Sequence, residues 1–475
     1  MLNSKEMTTF ASRIRLYLKE MKRIILTSVF ALLAMKGTLA QGSHVEILAE
    51  KDTVWMAMQQ NQMLGKRNIH RIDIAYDSTD PEGNPARLSG SIAIPAEIYQ
   101  GQKECDGMVL GHYYSRMHPS QTMTAGDATM ASLILANPLS PDYIYVSSDC
   151  WGFGITSGRQ QSYLHGLANG QAGIDCLLAA RHLLSQRGIG YGKYLFNAGF
   201  SAGAYDALAA QILRDQKYRD VLSFDKTFLA ESPIDIEPVF QKMLSDPDTV
   251  VALPATMLMT IVYYNKLENL GYTNDQMFKE PYAANIDEWY FSGRHTNFEL
   301  DNYMSRANCI GDILQDDFFD FNSKLQQDFL EAIRRNLLIK GWDPDESQHY
   351  YVLHLNKDNT VPVEAGRSLV DFLKSTGKFK ESIFGGTNLQ TNLYLNAKEH
   401  GLGFILMSAR LAITLALWPT THFMDGLTGI DQVKTDDGKS SLYSLGGIRQ
   451  NETIQRSGIY IQRGADGKIR KIIKK

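Results

Sequence analysis

The most constraining feature of the sequence is an alternation of short apolar runs with helical segments. The apolar runs are rich in β-branched and aromatic residues and lie at 107–111, 143–148, 194–198 and 226–230. Helical patterns at 170–186 and 202–213 separate the last three runs. Strands that alternate with helices of about ten to fifteen residues are typical of βαβ units. The sequence therefore predicts an α/β fold with a mainly parallel central sheet.

A hairpin precedes this alternation and a helical block interrupts it. Apolar runs at 72–76 and 88–94, joined by turn residues at 77–85, predict the hairpin. The strand pattern stops between 241 and 345, where helices or helical pieces are predicted at 255–269, 285–291 and 310–338. The α/β pattern then returns at 350–355, 364–375, 391–395 and 402–417. We predict one α/β domain formed by 41–240 and 346–424, with a helical insertion over 241–345.

The composition is that of an ordinary globular protein. Of the 475 residues, 44% are hydrophobic and 21% are charged, and the formal net charge is −4. These values exclude a disordered or collagen-like chain and give no electrostatic case for nucleic acid as a partner. Two disulfides or free thiols are both compatible with the four cysteines, Cys105, Cys150, Cys176 and Cys309. No spacing of Cys and His predicts a metal site, and no cofactor is predicted.

The N-terminal segment has the pattern of a secretory signal peptide. After Met21, a plausible start, a basic pair precedes the apolar stretch 24–35, and small residues lead to Ala40. The stretch is too short to span a bilayer comfortably, which favours cleavage after Ala40 over anchoring. A buried first helix is the alternative. We predict that 1–40 is removed and that the mature protein is exported, to the medium, cell surface or periplasm, without a stable membrane span.

The pentapeptide 199–203, Gly-Phe-Ser-Ala-Gly, lies between a predicted strand and a predicted helix. A serine on such a sharp strand-to-helix turn is exposed at the end of the sheet, and the small neighbours let strand and helix approach closely. The helix N-terminus also directs backbone N–H groups and a positive dipole end at the hydroxyl group. The motif alone is a modest signal, but this context predicts Ser201 as a nucleophile. An incidental serine in a Gly-rich turn is the alternative.

A serine nucleophile needs a base, and the base needs a group that orients it. In this architecture an acid and then a histidine follow the serine, each after a later strand. Asp358 follows the predicted strand 350–355 and is the candidate acid, although an Asp before a helix is often only a cap. Of the eleven histidines, only His400 and His422 follow Asp358. We predict His400 as the base because it precedes the last helix, whereas His422 lies beyond it.

Two backbone N–H groups are expected to stabilise the negatively charged oxygen of the transition state. The N–H of Ala202 is the first candidate, and the loop after the strand 107–111 provides the second. His112 is the predicted donor in that loop, with Tyr113 as the fallback. The alternative is that these aromatic residues only line a cleft.

At these residues the sequence resembles the α/β-hydrolase superfamily, and within it secreted lipase-like and esterase-like members. The resemblance covers roughly 70–424 and includes the acid loop around Asp358 and the segment 149–154, which is similar to a D-Y-x-G-x-G segment of that group. It implies a mainly parallel sheet with helices on both faces. It also implies a serine acyl-hydrolase in which Ser201 attacks, His400 is general base and then acid, and Asp358 holds the imidazole. The oxyanion loop departs from the family because it lacks the H-G-G-G of many esterases.

The resemblance also implies roles for the insertion and the C-terminus. In such folds an insertion of this kind forms a cap over the pocket, and its Met and aromatic residues would suit an apolar acyl or aryl group. Those residues are as compatible with an ordinary core; they are Met257, Met259, Tyr263, Tyr264, Phe278, Tyr282, Trp289, Tyr290 and Phe291. Short strands predicted in 425–475 resemble the β tails that direct proteins through type IX secretion. A solvated basic terminus is the alternative.

Three functions remain open at this point. The first is hydrolysis of a carboxylic ester, or another acylated small molecule, through an acyl-enzyme. The second is a secreted peptidase that uses the same three residues. The third is a binding protein on a degenerate hydrolase frame, against which the intact Ser, Asp and His in order argue. The natural substrate and the oligomeric state stay open in all three.

Overall fold

The computed structural model describes residues 44–59, 62–113, 125–137, 142–251, 253–383, 386–393, 395–428, 441–444, 449–450, 458–463 and 469–474. The predicted signal peptide, 1–40, lies outside these residues, as do 114–124 after the fourth strand. Within the described chain, the residues up to Ala412 form one compact unit, and those from Ile413 onward form a second.

A ten-stranded mixed sheet forms the centre of the first unit. Its strands are β1 Glu46–Gln59, β2 Gln62–Thr79, β3 Pro85–Pro95, β4 Gly107–Tyr113, β5 Tyr143–Ser148, β6 Tyr194–Phe200, β7 Lys226–Ala230, β8 Tyr350–Leu353, β9 Glu381–Ser382 and β10 Leu389–Asn392. Their order across the sheet is β1-β2-β3-β5-β4-β6-β7-β8-β10-β9. The pairs from β5 to β9 are parallel, and β1, β2 and β3 are antiparallel to their neighbours. The predicted mainly parallel sheet and the N-terminal hairpin are therefore present.

Helices cover both faces of this sheet. The α-helices outside the insertion that lie in the first unit or begin there are α1 Ala96–Tyr99, α2 Ala125–Leu135, α3 Ala168–Gln186, α4 Ala202–Lys217, α11 Val363–Ser375 and α12 His400–Thr428. Helix α3 buries an apolar face that includes Ile174, Leu177 and Leu184, and these side chains pack with Ile72 and Ile92 of the hairpin. Burial of such side chains removes apolar area from water at about 25 cal/mol per Å². This packing fixes the helices to the sheet whose ends carry the candidate site.

The block without strands contains the helices α5 Glu237–Leu244, α6 Pro254–Leu267, α7 Asn274–Met277, α8 Ile286–Phe291, α9 Asn297–Met304 and α10 Lys324–Arg335. The range 310–338, predicted as helices or helical pieces, contains two 3₁₀ turns, Ile310–Asp312 and Asp316–Phe319, and then α10. The boundary predicted at 240/241 falls inside α5, whose apolar residues Val239, Phe240 and Met243 are buried on one side. The predicted boundary therefore falls within a helix, and the division into a catalytic domain and an insertion stays a prediction.

The long strand β1 has no counterpart in the sequence prediction. It pairs with β2 along nearly its whole length, yet most of its side chains are exposed, including Val54 and Met56. An edge strand that is largely solvated needs no regular apolar–polar alternation. Its pairing with β2, rather than its own pattern, therefore determines the strand.

Helix α12 is longer than the predicted helix 402–417 and begins at His400 itself. It crosses both the boundary between the two units and the boundary predicted at 424/425. Its first part, His400–Trp418, has a mean hydropathy of 1.7 and is the one helix among the described residues that is long and apolar enough to cross a membrane by length and composition. A core helix of a soluble protein passes the same test. Its residues Met407 and Leu411 are fully buried in the first unit.

The second unit contains a four-stranded antiparallel sheet. Its strands are β11 Ser441–Ser444, β12 Arg449–Gln450, β13 Gly458–Arg463 and β14 Ile469–Lys474, in the order β12-β11-β13-β14. The short strands predicted for 425–475 are therefore present among the described residues. A sorting role for this tail stays a prediction.

Candidate active site

Ser201 lies on the sharp turn between β6 and α4 that the motif predicts. Its backbone has φ +54° and ψ −127°, a conformation that a residue with a side chain rarely adopts. The turn brings α4 against β4 so closely that a Cβ on Gly203 would lie 2.2 Å from the carbonyl oxygen of His112. Only glycine fits at this position, which is the physical reason for the second glycine of the motif.

The side chains of Ser201, His400 and Asp358 form a hydrogen-bonded chain. His400 Nε2 lies 2.9 Å from Ser201 Oγ, and His400 Nδ1 lies 2.6 Å from Asp358 Oδ2. The three residues come from the turn before α4, the start of α12 and the loop after β8. Residues separated by up to 199 positions thus meet at the carboxyl end of the parallel strands. Both distances lie within hydrogen-bond range.

The Asp358 carboxylate is buried and held by several donors. Its side chain is fully inaccessible to solvent, and its Oδ1 accepts the backbone N–H groups of Thr360 and Val361 at 2.7 and 3.0 Å. Burial acts to raise the pKa of Asp358, but the hydrogen bonds from His400, Glu231 and Thr360 outweigh it and hold the pKa below its usual range. Asp358 is therefore ionised and oriented toward the imidazole. Asp358 does not cap α11, which begins at Val363 after Pro362 and has no side-chain cap; its contacts with Thr360 and Val361 hold the turn before that helix.

Aromatic side chains pack around the imidazole of His400. The Phe200 ring lies 4.9 Å from it, centroid to centroid, and also contacts Phe404 at 5.2 Å. Tyr113 packs against both phenyl rings. This cluster restricts the imidazole to the orientation that its two hydrogen bonds require.

The three residues whose backbone N–H groups are predicted to stabilise the oxyanion lie at the start of α4 and at the end of β4. Ala202 is the first residue of α4, where backbone N–H groups have no partner within the helix. His112 lies within β4, opposite Gly199, and Tyr113 is the last residue of β4, opposite Phe200. The His112 side chain is buried, with Nε2 3.0 Å from Asn197 Oδ1, and burial lowers its pKa to about 4. It is therefore a neutral packing group, and the donor roles of the three N–H groups stay predictions.

One residue beside the site was missed by the sequence analysis. Glu231 directly follows β7 and is completely buried, and one of its carboxyl oxygens lies within 4.8 Å of a carboxyl oxygen of Asp358 and of a ring nitrogen of His400. Its position after a parallel strand adjacent to β6 is the signal that could have revealed it, because the carboxyl ends of such strands meet at one edge.

Glu231, Asp358 and His400 are also the one group of His, Cys, Asp and Glu among the described residues that could hold a metal ion. Both ring nitrogens of His400 are already engaged by Ser201 and Asp358. A cation would replace these hydrogen bonds. No disulfide joins the four cysteines, all of which lie in the described part of the chain.

A partly open cavity of about 510 Å³, counted with its mouth, adjoins Ser201. Its wall is mostly apolar and includes Leu164, Ile236, Val239, Phe240, Met243, Met257 and Val361. Helices α5 and α6 provide most of one side. Of the nine Met and aromatic residues noted in the insertion, only Met257 lines this cavity, and seven others are buried in the core. The core interpretation therefore holds for most of the set.

The structure is similar to those of several hydrolases. The rice cell wall degrading esterase LipA from Xanthomonas oryzae is 19% identical, with a TM-score of 0.62 over 79% of this chain and 97% of that chain. A putative hydrolase from Legionella pneumophila is 14% identical, with a TM-score of 0.62 over 82% and 100%. Candida antarctica lipase A in its closed state is 14% identical, with a TM-score of 0.54 over 82% and 84%. No family model and no curated protein sequence matches the chain.

These likenesses define the class of protein by its fold. The chain has an α/β-hydrolase fold, with a mainly parallel sheet, helices on both faces and a helical insertion between β7 and β8. The fold predicted from the strand–helix alternation and from the family resemblance is confirmed. At identities below 20%, the activities of these neighbours do not transfer with the fold.

Proposed function

We propose that the protein is a serine hydrolase that cleaves carboxylic esters through an acyl-enzyme. The observation that carries this proposal is the chain Ser201–His400–Asp358, with distances of 2.9 and 2.6 Å, at the wall of an apolar cavity. A hydroxyl, an imidazole and a buried carboxylate in this order are the groups that nucleophilic acyl transfer requires.

In the first half of the reaction Ser201 Oγ attacks the ester carbonyl carbon. His400 Nε2 accepts the hydroxyl proton as the Oγ–C bond forms, and ionised Asp358 stabilises the resulting imidazolium. The negative charge on the carbonyl oxygen develops near the N-terminus of α4, where the Ala202 N–H and the helix dipole stabilise it. The intermediate then collapses, the bond to the alkoxy group breaks, and His400 returns the proton to the departing alcohol.

In the second half a water molecule replaces the alcohol. His400 Nε2 takes a proton from this water as its oxygen attacks the acyl carbon of the Ser201 ester. Collapse of the second intermediate releases the carboxylic acid and restores the Ser201 hydroxyl with the proton from His400. One cycle consumes one ester and one water molecule, releases one alcohol and one carboxylic acid, and restores the enzyme.

The lining of the cavity favours a substrate ester whose acyl group is apolar. Apolar side chains surround the space beside Ser201, and the few polar groups there are hydroxyls, such as those of Tyr163, Thr256 and Thr260. No Lys, Arg, Asp or Glu belongs to the described lining, so a charged acyl group would lose its hydration without a partner. The names esterase and lipase among the structural neighbours also favour an ester over a peptide.

We also propose that the mature protein is exported. The basic pair, apolar stretch and small residues of 22–40 support cleavage of a signal peptide. A four-stranded sheet in the tail is compatible with a separate sorting element after the hydrolase unit. Loss of export on deletion of 22–40 would test the first part.

A substrate panel tests the proposed reaction. We expect the protein with residues 41–475 to hydrolyse p-nitrophenyl esters and to leave aminoacyl p-nitroanilides intact, because the described lining of the cavity has no charged side chain to pair with the amino group of the second class. The measurement is the rate of p-nitrophenol or p-nitroaniline release, with Ser201→Ala as the control for background hydrolysis. Activity on the anilides alone would contradict ester hydrolysis and favour the peptidase.

The length of the acyl chain provides a test of the cavity. Met257→Trp adds bulk to the wall formed by α6, and we expect kcat/KM for the octanoate ester to fall about tenfold or more, with the acetate ester within about threefold of wild type. Lys266→Trp adds an indole at the exposed end of the same helix and is the matched control. If the ratio of kcat/KM for the octanoate ester to that for the acetate ester is unchanged in Met257→Trp, the acyl group binds elsewhere.

A further inference from the structure

Glu231 links three segments that form the candidate active site. Its backbone N–H donates to the carbonyl of Leu353 at 2.9 Å, and its φ of +50° turns the chain sharply after β7. Both of its carboxyl oxygens accept the backbone N–H of Leu355 at 3.2 Å, in the segment that leads to Asp358. On the other side it contacts Gly403, in the first turn of α12, where a Cβ would lie 2.0 Å from Glu231 Oε1.

Among the residues that the structure describes, no Lys or Arg forms an ion pair with the Glu231 carboxyl group. The titratable groups that face it are Asp358 from the loop after β8, His354 from the end of β8 and His400 from α12. His354 Nε2 lies 2.8 Å from the carbonyl oxygen of Val361, so it donates its proton there, and burial lowers the pKa of His354. His354 is therefore a neutral imidazole. The proton-bearing nitrogen of His400 already faces Asp358.

Two neighbouring buried carboxyl groups without a compensating positive charge cannot both be ionised without a large cost in free energy. Asp358 accepts hydrogen bonds from His400, Thr360 and Val361, whereas the Glu231 carboxyl group accepts only that of the Leu355 N–H among the donors that the described residues show. Burial, followed by contact with Asp358, raises the pKa of Glu231 well above its usual range. The proton therefore resides on Glu231 and the charge on Asp358.

We propose that Glu231 is a positioning residue: a neutral carboxylic acid that donates a hydrogen bond to Asp358 and so holds that carboxylate in line with His400. This inference rests on the proposed function for its kinetic consequences. The second acid supplies Asp358 with one donor more than the backbone N–H groups of Thr360 and Val361, and it adds no charge. His400 then faces one negative charge, that of Asp358, and this charge determines how strongly the imidazole binds a proton.

Two substitutions separate this role from a merely structural one. Glu231→Gln keeps the shape, the acceptor for Leu355 and a donor for Asp358, and it is neutral. We expect kcat/KM within about threefold of wild type and no displacement of the acid limb of the pH profile. Glu231→Leu removes the donor at similar volume, and we expect kcat/KM to fall about tenfold or more. The acid limb should move to higher pH, because Asp358 without this donor binds the imidazolium more strongly.

A measurement that needs no catalytic turnover tests the role of Glu231 independently of the proposed function. The proton on His400 Nδ1, shared with Asp358, is expected as a far-downfield ¹H NMR resonance that is absent in His400→Ala. It should persist in Glu231→Gln and shift or broaden in Glu231→Leu, whether or not any ester is a substrate.

Two results would overturn the inference. An acid limb displaced to lower pH in Glu231→Gln would mean that Glu231 carries a negative charge in the wild-type protein. Wild-type kcat/KM with an unaltered resonance in folded Glu231→Leu would mean that Asp358 needs no such donor. If Glu231→Leu does not fold, the pH profile and the resonance of Glu231→Gln still decide the charge on Glu231.

Discussion

Replacement of His400 with Ala is expected to lower kcat/KM for a p-nitrophenyl ester by about a thousandfold or more. The imidazole takes the Ser201 proton and later returns it to the alcohol, and without it the hydroxyl is a weak nucleophile at neutral pH. Because His400 Nε2 lies 2.9 Å from Ser201 Oγ and Nδ1 faces Asp358, one substitution removes both links of the chain. Initial rates on a short-chain ester, with circular dichroism to verify folding, are the measurement.

His422→Ala is the matched control for this experiment. His422 is the other histidine that follows Asp358 in sequence, and it lies further along α12. We expect His422→Ala to stay within about threefold of wild type. Equal losses in the two variants would mean that the effect comes from damage to α12 rather than from removal of a base, and would contradict the assignment of His400.

Replacement of Ser201 with Ala is expected to reduce ester hydrolysis by at least about a thousandfold, without loss of the fold. The substitution removes the only atom that attacks in the proposed mechanism, while Ala adopts the same backbone conformation at no greater cost than Ser. The residual rate should equal what the N-terminus of α4 and the cavity provide by binding alone. A steady-state assay on octanoate and acetate esters, compared with thermal unfolding of both proteins, measures this.

Ser245→Ala is the control for the serine substitution. Ser245 follows α5, a helix of the cavity wall, and its exposed hydroxyl donates only to the carbonyl of Lys242. Wild-type rates are expected for this variant. Full activity in Ser201→Ala would exclude the acyl-enzyme route and leave a mechanism in which water attacks directly.

The sequence predicts most of the fold because its strongest signals are local. The strand 226–230 has the bounds that the structure shows, and the turn at 199–203 lies where β6 meets α4. In both places apolar periodicity and glycine positions reflect burial of the element itself. The edge strand β1 carries no such signal, because its partner β2 rather than a buried face holds it in place.

The sequence predicts the order of the three candidate site residues along the chain, but not the distances between their side chains. Parallel strands bring their carboxyl ends to one edge, so Ser201, Asp358 and His400 could be expected to be near one another. The distances could not, since they depend on where α12 begins and on how Phe200 and Phe404 pack around the imidazole. The position of Glu231 after β7 indicates only that it lies at the same edge of the sheet. Its contacts with the segment after β8 and with the first turn of α12 depend on tertiary packing, which the sequence does not show.

The residues of the insertion that line the cavity could not be predicted from the sequence either. A block rich in aromatic residues predicts either a core or a binding wall, and composition does not separate the two. In the structure most of these side chains pack among themselves, while the cavity beside Ser201 takes Val239, Met243 and Met257 from the helices α5 and α6. Which residues line the cavity depends on how the helices are arranged over the sheet, and that arrangement is a tertiary property.

The most direct test of the central claim is covalent labelling of the folded protein with a fluorophosphonate, followed by mass spectrometry of the peptides. We expect one phosphonylated residue, Ser201, in the wild-type protein, with slow or no labelling in His400→Ala and none after heat denaturation. Folded wild-type protein that stays unlabelled at Ser201, or that reacts at another serine instead, would contradict the claim that His400 and Asp358 activate this hydroxyl.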